Sequence, residues 1–261
     1  MEILGDLAGS VGLGYYIGQT INHVTPTMPS PNAEALDRLL SERHSCRAFQ
    51  PQAVPLEVQQ DIFRTAQRTG SWCNSQAWQV TVASGAAVEN FREAMVQAAK
   101  SGQELGKGGG SDFPFPAEYK GVYLERRRDC GFGLYNAVGV PRGDKAGYAK
   151  QTLENFRLFG APHVAILTSE AGLGVYGAVD VGGYVQVLML AMQAHGVGSI
   201  AQAALASHSA LAKSLLGIPA ERLMVCAISF GYEDRNHIAN SYRLGRADIA
   251  DVVTWVEKAG D

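Results

Sequence analysis

The amino-acid sequence predicts an α+β fold, and three observations carry that prediction. Segments with helical periodicity outnumber segments with strand character, and the two kinds are mixed along the chain. No internal repeat and no interdomain linker divides the sequence. The 261 residues are 46% hydrophobic and 18% charged, which is typical of a globular protein with one sizeable core. We therefore expect a single domain over residues 31–261, preceded by a glycine-rich N-terminal arm at residues 1–30.

Composition and charge exclude several classes of protein. A net charge of −3 argues against a nucleic-acid binder, which normally needs a concentrated basic face. No apolar run reaches the roughly 18–20 residues that span a bilayer, so no membrane segment is expected. The first twenty residues contain Glu2 and Asp6 but no lysine or arginine, which is a poor signal peptide. The 4 cysteines are far apart, so we expect neither a zinc site nor disulfides, and a cytoplasmic location.

The first hundred residues contain signals for three helices and a strand. Ser30 followed by Pro31 predicts the capped start of a helix. Apolar residues at helical spacing predict a second helix over residues 55–68, and a third is expected over residues 86–100. Between them, the apolar residues Trp78, Val80 and Val82 alternate with polar ones, which predicts a strand with one buried face.

The middle of the chain is rich in glycine and proline before helices resume. Residues 101–121 form a stretch long enough to be either a functional lid or a disordered insertion. We take it as a candidate lid because it carries Phe113 and Phe115. Two polar helices are expected around residues 123–136 and 143–158.

The remaining elements are mostly apolar. Short runs at residues 163–168 and 223–230 predict two buried strands. Residues 177–195 are apolar nearly all round, which predicts a helix buried in the middle of the protein and ended by Gly196 in a left-handed conformation. A final helix is expected to be capped by Asp248, with its apolar stripe formed by Ile249, Val252, Val253 and Val256.

Three conspicuous motifs each admit a structural interpretation. The glycines at 172, 174 and 177 match G-x-G-x-x-G, but no acidic residue follows between Val181 and Ala220 to bind a ribose, so a turn entering a packed helix is favoured. The run Arg126–Arg128 could grip an anionic substrate, although such runs are usually solvated helix faces. Cys73 could be a nucleophile, but without an identifiable base a buried, inert thiol is favoured.

Three polar segments together suggest a site for a phosphorylated ligand. Residues 43–49 carry two arginines and a serine in alternation, which an extended chain would aim in one direction. Residues 71–78 are rich in amide and hydroxyl groups, which suit a polyol or the edge of a heterocycle. Residues 242–246 add two more guanidinium groups, which bind phosphate well.

These segments resemble the signatures of a known family. The motifs R-H-S-C-R-A-F, S-W-C-N-S-Q-A-W, F-G-A-P-H, H-G-V-G-S-I-A-Q, G-Y-E-D and N-S-Y-R-L-G-R, in this order across residues 32–258, are similar to those of the FMN-dependent nitroreductase family, and most similar to its nitrobenzoate and nitroaromatic reductases. Trp72 and Cys73 stand where the family usually has small residues, and Ala77 replaces its usual proline. The resemblance implies a nitroreductase-like α+β fold, with a central mixed or antiparallel sheet flanked by helices, in an intertwined homodimer with FMN at the subunit interface.

The resemblance also implies a role for individual residues. It assigns the FMN phosphate and ribityl chain to Arg43, His44, Ser45, Arg243 and Arg246, and the pyrimidine end of the ring to Arg47 and Asn155. It assigns the face of the flavin to Ile200, Ala201 and Gln202, and the partner subunit's flavin to Gly70, Ser71 and Asn74. Trp72, Phe113 and Phe115 are the expected substrate contacts. No catalytic side chain and no metal is expected, since the flavin carries the chemistry.

The implied function is reduction of nitroaromatic, nitrobenzoate-like or quinone acceptors by an FMN-dependent enzyme. Its electron donor would be NADH or NADPH, its acceptor a small aromatic oxidant, and its kinetics ping-pong with two-electron transfer. Two alternatives remain open at this point. One is a different flavin reaction on the same scaffold, such as dehalogenation, enone reduction or flavin breakdown. The other is a non-catalytic flavin store or sensor, in which the bulky indole of Trp72 blocks stacking on the ring.

Overall fold

The computed structural model describes residues 29–101 and 110–257, so the N-terminal arm lies almost entirely outside the described residues. The described chain has four strands, β1 (Trp78–Ser84), β2 (His163–Ser169), β3 (Gly198–Gln202) and β4 (Leu223–Gly231). Its α-helices are α1 (Pro31–Glu42), α2 (Leu56–Ala66), α3 (Ala86–Lys100), α4 (Gly121–Ala137), α5 (Lys145–Phe156), α6 (Gly174–Ala194) and α7 (Ser209–Leu216). The predicted α+β fold is confirmed.

The sheet is antiparallel throughout, with strand order β1-β2-β4-β3. Every residue of the central strand β2 is buried, because helices cover both faces of the sheet. One face packs against α2 and α6, where Leu167 and Val185 belong to the same apolar cluster. The other face packs around α3, where Phe91 and Ile166 belong to a second cluster. The sheet therefore separates two apolar cores.

Strand β1 keeps the predicted alternation but buries residues on both faces. Trp78 packs on the α6 side, as its phase predicts. Ala83 points to the opposite face and is buried with Val88 and Phe91 of α3, whereas Val82 is exposed. The prediction of one buried face was therefore wrong, since α3 covers the far end of the strand.

Local chemistry explains where several helices begin and end. The Ser30 hydroxyl accepts a hydrogen bond from the Ala33 N–H at 3.2 Å, with Pro31 at the first helical position, as predicted. Gly196 follows α6 with φ of 70°, which is the predicted left-handed exit. At Gly177 a Cβ atom would lie 2.4 Å from Ser169 Oγ. This crowding confirms that the glycine motif is a tight entry into α6.

Helix α6 is only partly buried within one protomer. Tyr184 and Leu188 are buried in the core. In the first half of the helix, Val175, Tyr176 and Val179 are exposed by 77%, 62% and 61%. The prediction of a fully buried helix is therefore wrong for one chain, since no described element covers this face. By length and composition alone α6 could cross a membrane, but its packing against α2 and the sheet is that of a core helix.

Three elements differ from the sequence predictions. Strand β3 and helix α7 were not predicted, because both are short and their residues are mostly small. The predicted final helix is wrong: up to residue 257, where the described chain ends, only one 3₁₀ turn, Ile249–Asp251, forms there. Asp248 does accept a capping hydrogen bond from the Ala250 N–H at 2.9 Å. The helix does not continue because its apolar residues find no surface to pack on, and Val252 and Val256 stay exposed.

Candidate functional site

Residues 43–49, which we call the arginine strap, run along the free edge of the sheet. Ser45 forms a parallel bridge with Ser199 of β3, and the Cys46 N–H donates to the Ser199 carbonyl at 3.0 Å. Farther along, Phe49 bridges to Glu233 just beyond β4. The strap is thereby held extended, which is the conformation that the alternation of Arg43, Ser45 and Arg47 requires.

The arginine strap and residues 242–246 face each other across one cleft of about 360 Å³, which we call the arginine cleft. Burial, followed by the positive charge of Arg246, lowers the pKa of Arg43. Within the described part of the chain, neither guanidinium forms an ion pair. Two uncompensated like charges in one cleft suit a bound anion. Of the residues predicted to bind the phosphate and ribityl chain or the ring, the cleft brings together Arg43, His44, Ser45, Arg47, Arg243 and Arg246.

Arg47 lies at the inner end of this cleft. Its guanidinium donates to the Ser45 carbonyl at 3.1 Å, and burial lowers its pKa. A larger cavity of about 800 Å³, between α3 and α5, is also lined by Arg47. The arginine cleft and this cavity thus meet at one fixed cation, which leaves room for a ring system next to a phosphate site.

Asn240 fixes the backbone of the arginine strap, and sequence reasoning did not single it out. Its side-chain oxygen accepts from the Arg47 N–H at 2.6 Å. Its amide nitrogen donates to the carbonyls of Ala48 and Asp234 at 2.8 and 2.9 Å. The side chain is buried and fully hydrogen-bonded. Its only signal in the sequence was its place at the head of N-S-Y-R-L-G-R.

Both ring nitrogens of His44 lie within hydrogen-bond distance of an oxygen atom. Nε2 lies 2.8 Å from a carboxylate oxygen of Glu233, and Nδ1 lies 3.0 Å from the Glu42 carbonyl. The ring therefore helps to hold the arginine strap against the end of β4. Glu233 comes from the G-Y-E-D motif, whose sequence signal did not reveal this contact.

The structure places Asn155 beside Gln202, both of them predicted site residues. The Gln202 side chain donates to the Asn155 carbonyl at 2.8 Å, and its oxygen accepts from the Ser229 hydroxyl. In β3, Ile200 and Gln202 are buried and Ala201 is exposed on the other face. The end of α5 is thereby joined to the edge strand that also carries the arginine strap.

The loop at residues 70–76 lies apart from the arginine cleft of its own chain. Cys73, Asn74 and Gln76 have positive φ angles of 49°, 56° and 47°. Asp180 of α6 holds the loop, because its carboxylate accepts from the Trp72 N–H and the Ser75 hydroxyl, each at 3.1 Å. Of the predicted site residues, Gly70, Ser71, Trp72 and Asn74 lie here. Cys73 is exposed, so its predicted burial was wrong.

The described end of the candidate lid lies near the start of β4. The Asp112 carboxylate contacts Lys213 Nζ at 3.0 Å and accepts from the Met224 N–H at 2.7 Å. Phe115 is exposed and Phe113 is half-buried, and neither lines the arginine cleft. Residues 102–109 lie outside the described residues, so the lid remains a prediction. Among the described residues, no cluster of three His, Cys, Asp or Glu side chains could hold a metal ion.

The family model described as "Nitroreductase family" matches residues 40–232, about three quarters of the chain. The chain belongs to the nitroreductase family. It is 37% identical over 232 residues to "Nitroreductase NfnB" of Mycolicibacterium smegmatis, covering 88% of this chain and 97% of that one. It is 28% identical to a "4-nitrobenzoate reductase" of Nocardioides sp., covering 88% and 94%.

Solved structures agree with this family assignment. The FMN-dependent nitroreductase NfnB from Mycobacterium smegmatis, in complex with NADPH, superposes with a TM-score of 0.81 at 36% identity, covering 87% of this chain and all of that one. The FMN and NADPH-dependent NfnB from Sphigopyxis sp. strain HMH gives a TM-score of 0.80 at 28% identity, covering 85% and 99%.

For this nitroreductase, the family model covers only one wall of the arginine cleft. The match ends at Tyr232, before Arg243 and Arg246. The assignment of Arg243 and Arg246 to the cleft therefore depends on the structure itself. Both line the same cleft as Arg43, and Arg246 is close enough to Arg43 to repel its charge.

Proposed function

We propose that this nitroreductase binds FMN with its phosphate in the arginine cleft and uses NADH or NADPH to reduce small aromatic oxidants. Bound FMN would supply two-electron redox chemistry, with hydride accepted from the nicotinamide and two electrons returned to the acceptor in a ping-pong cycle. One observation carries the proposal: Arg43 and Arg246, from opposite ends of the chain, face one cleft without a carboxylate partner among the described residues. The FMN and NADPH named for the two NfnB structures support it.

The donor chemistry of the arginine cleft fits a mononucleotide. Arg43 and Arg246 offer planar guanidinium groups, which bind a phosphate through paired hydrogen bonds, and Arg243 lies beside them. A bound dianion would also offset the repulsion from Arg246, which adds to burial in lowering the pKa of Arg43. His44 and Ser45 line the same cleft and are assigned to the ribityl end.

The remaining predicted residues are assigned to the ring. Arg47 would place a fixed positive charge at the pyrimidine end, where added electron density needs stabilisation. Asn155 would hydrogen-bond the pyrimidine edge, and the backbone at residues 200–202 would lie along the ring. No side chain is required to transfer a proton, so none is assigned a catalytic role.

We further propose a homodimer, with the acceptor pocket shared between protomers. The loop at residues 70–76 lies away from the arginine cleft of its own chain and would contact the partner's flavin through Gly70, Ser71 and Asn74. Trp72, Phe113 and Phe115 are assigned to the acceptor, and residues 101–121 to a lid. A nitrobenzoate-like or quinone acceptor and a cytoplasmic location are part of this proposal, and all four cysteines are free thiols.

A flavin store or sensor is the second candidate, and Trp72 is the observation that favours it. Its indole is 63% exposed and lies 5.1 Å from the ring of Tyr176, on the surface proposed to face the partner's flavin. A bulky ring at this position would compete with a nicotinamide for the face of the flavin.

Visible spectroscopy of the purified protein tests these proposals. A reductase is expected to be yellow, to bleach when NADPH or NADH is added without oxygen, and to recover its colour with nitroaromatics or quinones. Colour that persists after addition of either coenzyme identifies the store. Recovery only with halophenols or enones indicates a different flavin reaction. A colourless protein that takes up no FMN contradicts every version of the proposal.

Removing the phosphate anchors gives a residue-level test. Arg43→Ala and Arg246→Ala should each weaken FMN binding by about 10- to 100-fold, since each removes a charge-assisted contact. Fluorescence titration of FMN-depleted protein measures this loss. Arg64→Ala is the matched control, because Arg64 is exposed and its one ion pair among the described residues is with Asp61. Unchanged FMN affinity in both cleft variants would place the phosphate elsewhere.

A further inference from the structure

Helix α4 presents three arginines that the flavin site does not use. Within the described part of the chain, Arg126, Arg127 and Arg128 form no ion pair. They line one groove of about 640 Å³ together with Tyr119 and Tyr123, and no carboxylate lines it. We call it the α4 groove. Guanidinium groups that line one groove without an ion-pair partner among the described residues, beside aromatic rings, are suited to bind an anion.

The α4 groove contains both chemistries that an adenosine phosphate needs. The Arg127 guanidinium lies 5.1 Å from the centre of the Tyr119 ring, so that cation is held over an aromatic face. Tyr123 is 66% exposed and has no ring partner among the described residues, which leaves its face free to stack on a base. Three guanidiniums supply the hydrogen-bond forks that a phosphate monoester accepts.

A chain of shared residues connects the α4 groove to the flavin-phosphate site. Arg126 lines both this groove and a neighbouring cleft of about 650 Å³. Arg246 lines both that neighbouring cleft and the arginine cleft. Asp129 also lines the neighbouring cleft. Tyr242 connects residues 242–246 to α4, since its hydroxyl donates to the Asp129 carbonyl at 2.9 Å. An extended dinucleotide could thus reach from the flavin site to α4.

We propose that the α4 groove binds the adenosine 2′-phosphate of NADPH and thereby makes this enzyme prefer NADPH to NADH. The inference rests on the proposed function, because it names the electron donor of the same site. The two coenzymes differ only in that phosphate, so a groove that holds it with arginines discriminates between them. Arg127 and Arg128 bind the phosphate, while Tyr123 stacks on the adenine.

The test compares the two coenzymes in the FMN-loaded enzyme. In Arg127→Ala/Arg128→Ala, the ratio of kcat/KM for NADPH to kcat/KM for NADH should fall by about 10- to 100-fold, as expected for lost charge-assisted hydrogen bonds. Arg127→Lys should lower this preference for NADPH less, since lysine keeps the positive charge but lacks the paired N–H donors of a guanidinium group. Arg64→Ala is the control, because Arg64 is an exposed arginine on α2 that lines neither the α4 groove nor the clefts beside it.

Calorimetry supplies a readout that does not depend on turnover. Adenosine 2′,5′-diphosphate should bind the wild-type holoenzyme more tightly than 5′-AMP, and the double variant should lose that difference. Equal affinity of the two probes for the wild type would overturn the inference. So would a double variant that alters only KM for 4-nitrobenzoate relative to nitrobenzene, because the arginines would then bind the acceptor. Either result leaves a yellow, bleachable enzyme, so failure of this inference is distinguishable from failure of the proposed function.

Discussion

The backbone of the arginine strap depends on one buried amide, that of Asn240. Asn240→Ala would leave the Arg47 N–H without its partner and would remove one of the donors to each of the Ala48 and Asp234 carbonyls. We expect the free energy of unfolding to fall by about 2–4 kcal/mol, since several buried polar groups lose hydrogen bonds. Urea unfolding measures this, with Ser241→Ala as the control for an exposed neighbour. A loss below about 0.5 kcal/mol would show that water replaces the amide.

His163 makes stability depend on pH. Burial lowers its pKa below the ordinary value of 6.5, and Nε2 accepts the Val54 N–H at 2.9 Å, which requires a neutral ring. The unfolded chain takes up the proton first as pH falls, so stability is lost below about pH 6.5. Urea midpoints at about pH 7.5 and about pH 5.5 should therefore differ less in His163→Gln than in the wild type. Some slope remains, because burial also lowers the pKa of His208.

At the scale of elements, the sequence predicted those with a clear helical period or a continuous apolar run. Helix α2 was expected at residues 55–68 and occupies Leu56–Ala66, and the two apolar strands became β2 and β4. Strand β3 escaped prediction because it is a five-residue edge strand whose pairing with β4 is visible only in the fold. For the same reason, motif resemblance named the arginines but not Asn240, Glu233 or Asp180, whose partners lie more than a hundred residues away.

Packing between α4 and residues 242–246 depends on Gly133. A Cβ there would lie 2.4 Å from the Tyr242 hydroxyl, so Gly133→Ala must displace the phenol from the carbonyls of Asp129 and Cys130. We expect a loss of about 1–3 kcal/mol in the free energy of unfolding, together with weaker FMN binding. Gly131→Ala, on the same helix, meets no atom within 4 Å and should raise stability by about 0.5–1 kcal/mol. Equal effects of the two substitutions would contradict this account.

At the scale of the whole molecule, the described protomer leaves several large apolar side chains exposed. Helix α1 has no buried residue, and its Leu36 and Leu40 are about half exposed. The first half of α6 and the chain from Ile249 to Val256 are exposed as well. Surfaces of this kind usually mark an interface between proteins. The proposed homodimer would cover such surfaces, because a twofold interface buries the same face on both protomers.

Val179 tests this interface, because it lies on the exposed face of α6 one turn from Val175 and Tyr176. Val179→Glu would bury a carboxylate without a partner in a dimer but would stay solvated in a monomer. We therefore expect it to shift the mass measured by light scattering from dimer to monomer, and to release FMN if both subunits contact the cofactor. Leu56→Glu is the matched control, since Leu56 is equally exposed at the start of α2, where a carboxylate favours the helix. A Val179→Glu protein that remains dimeric and yellow would move the interface to another face of the molecule.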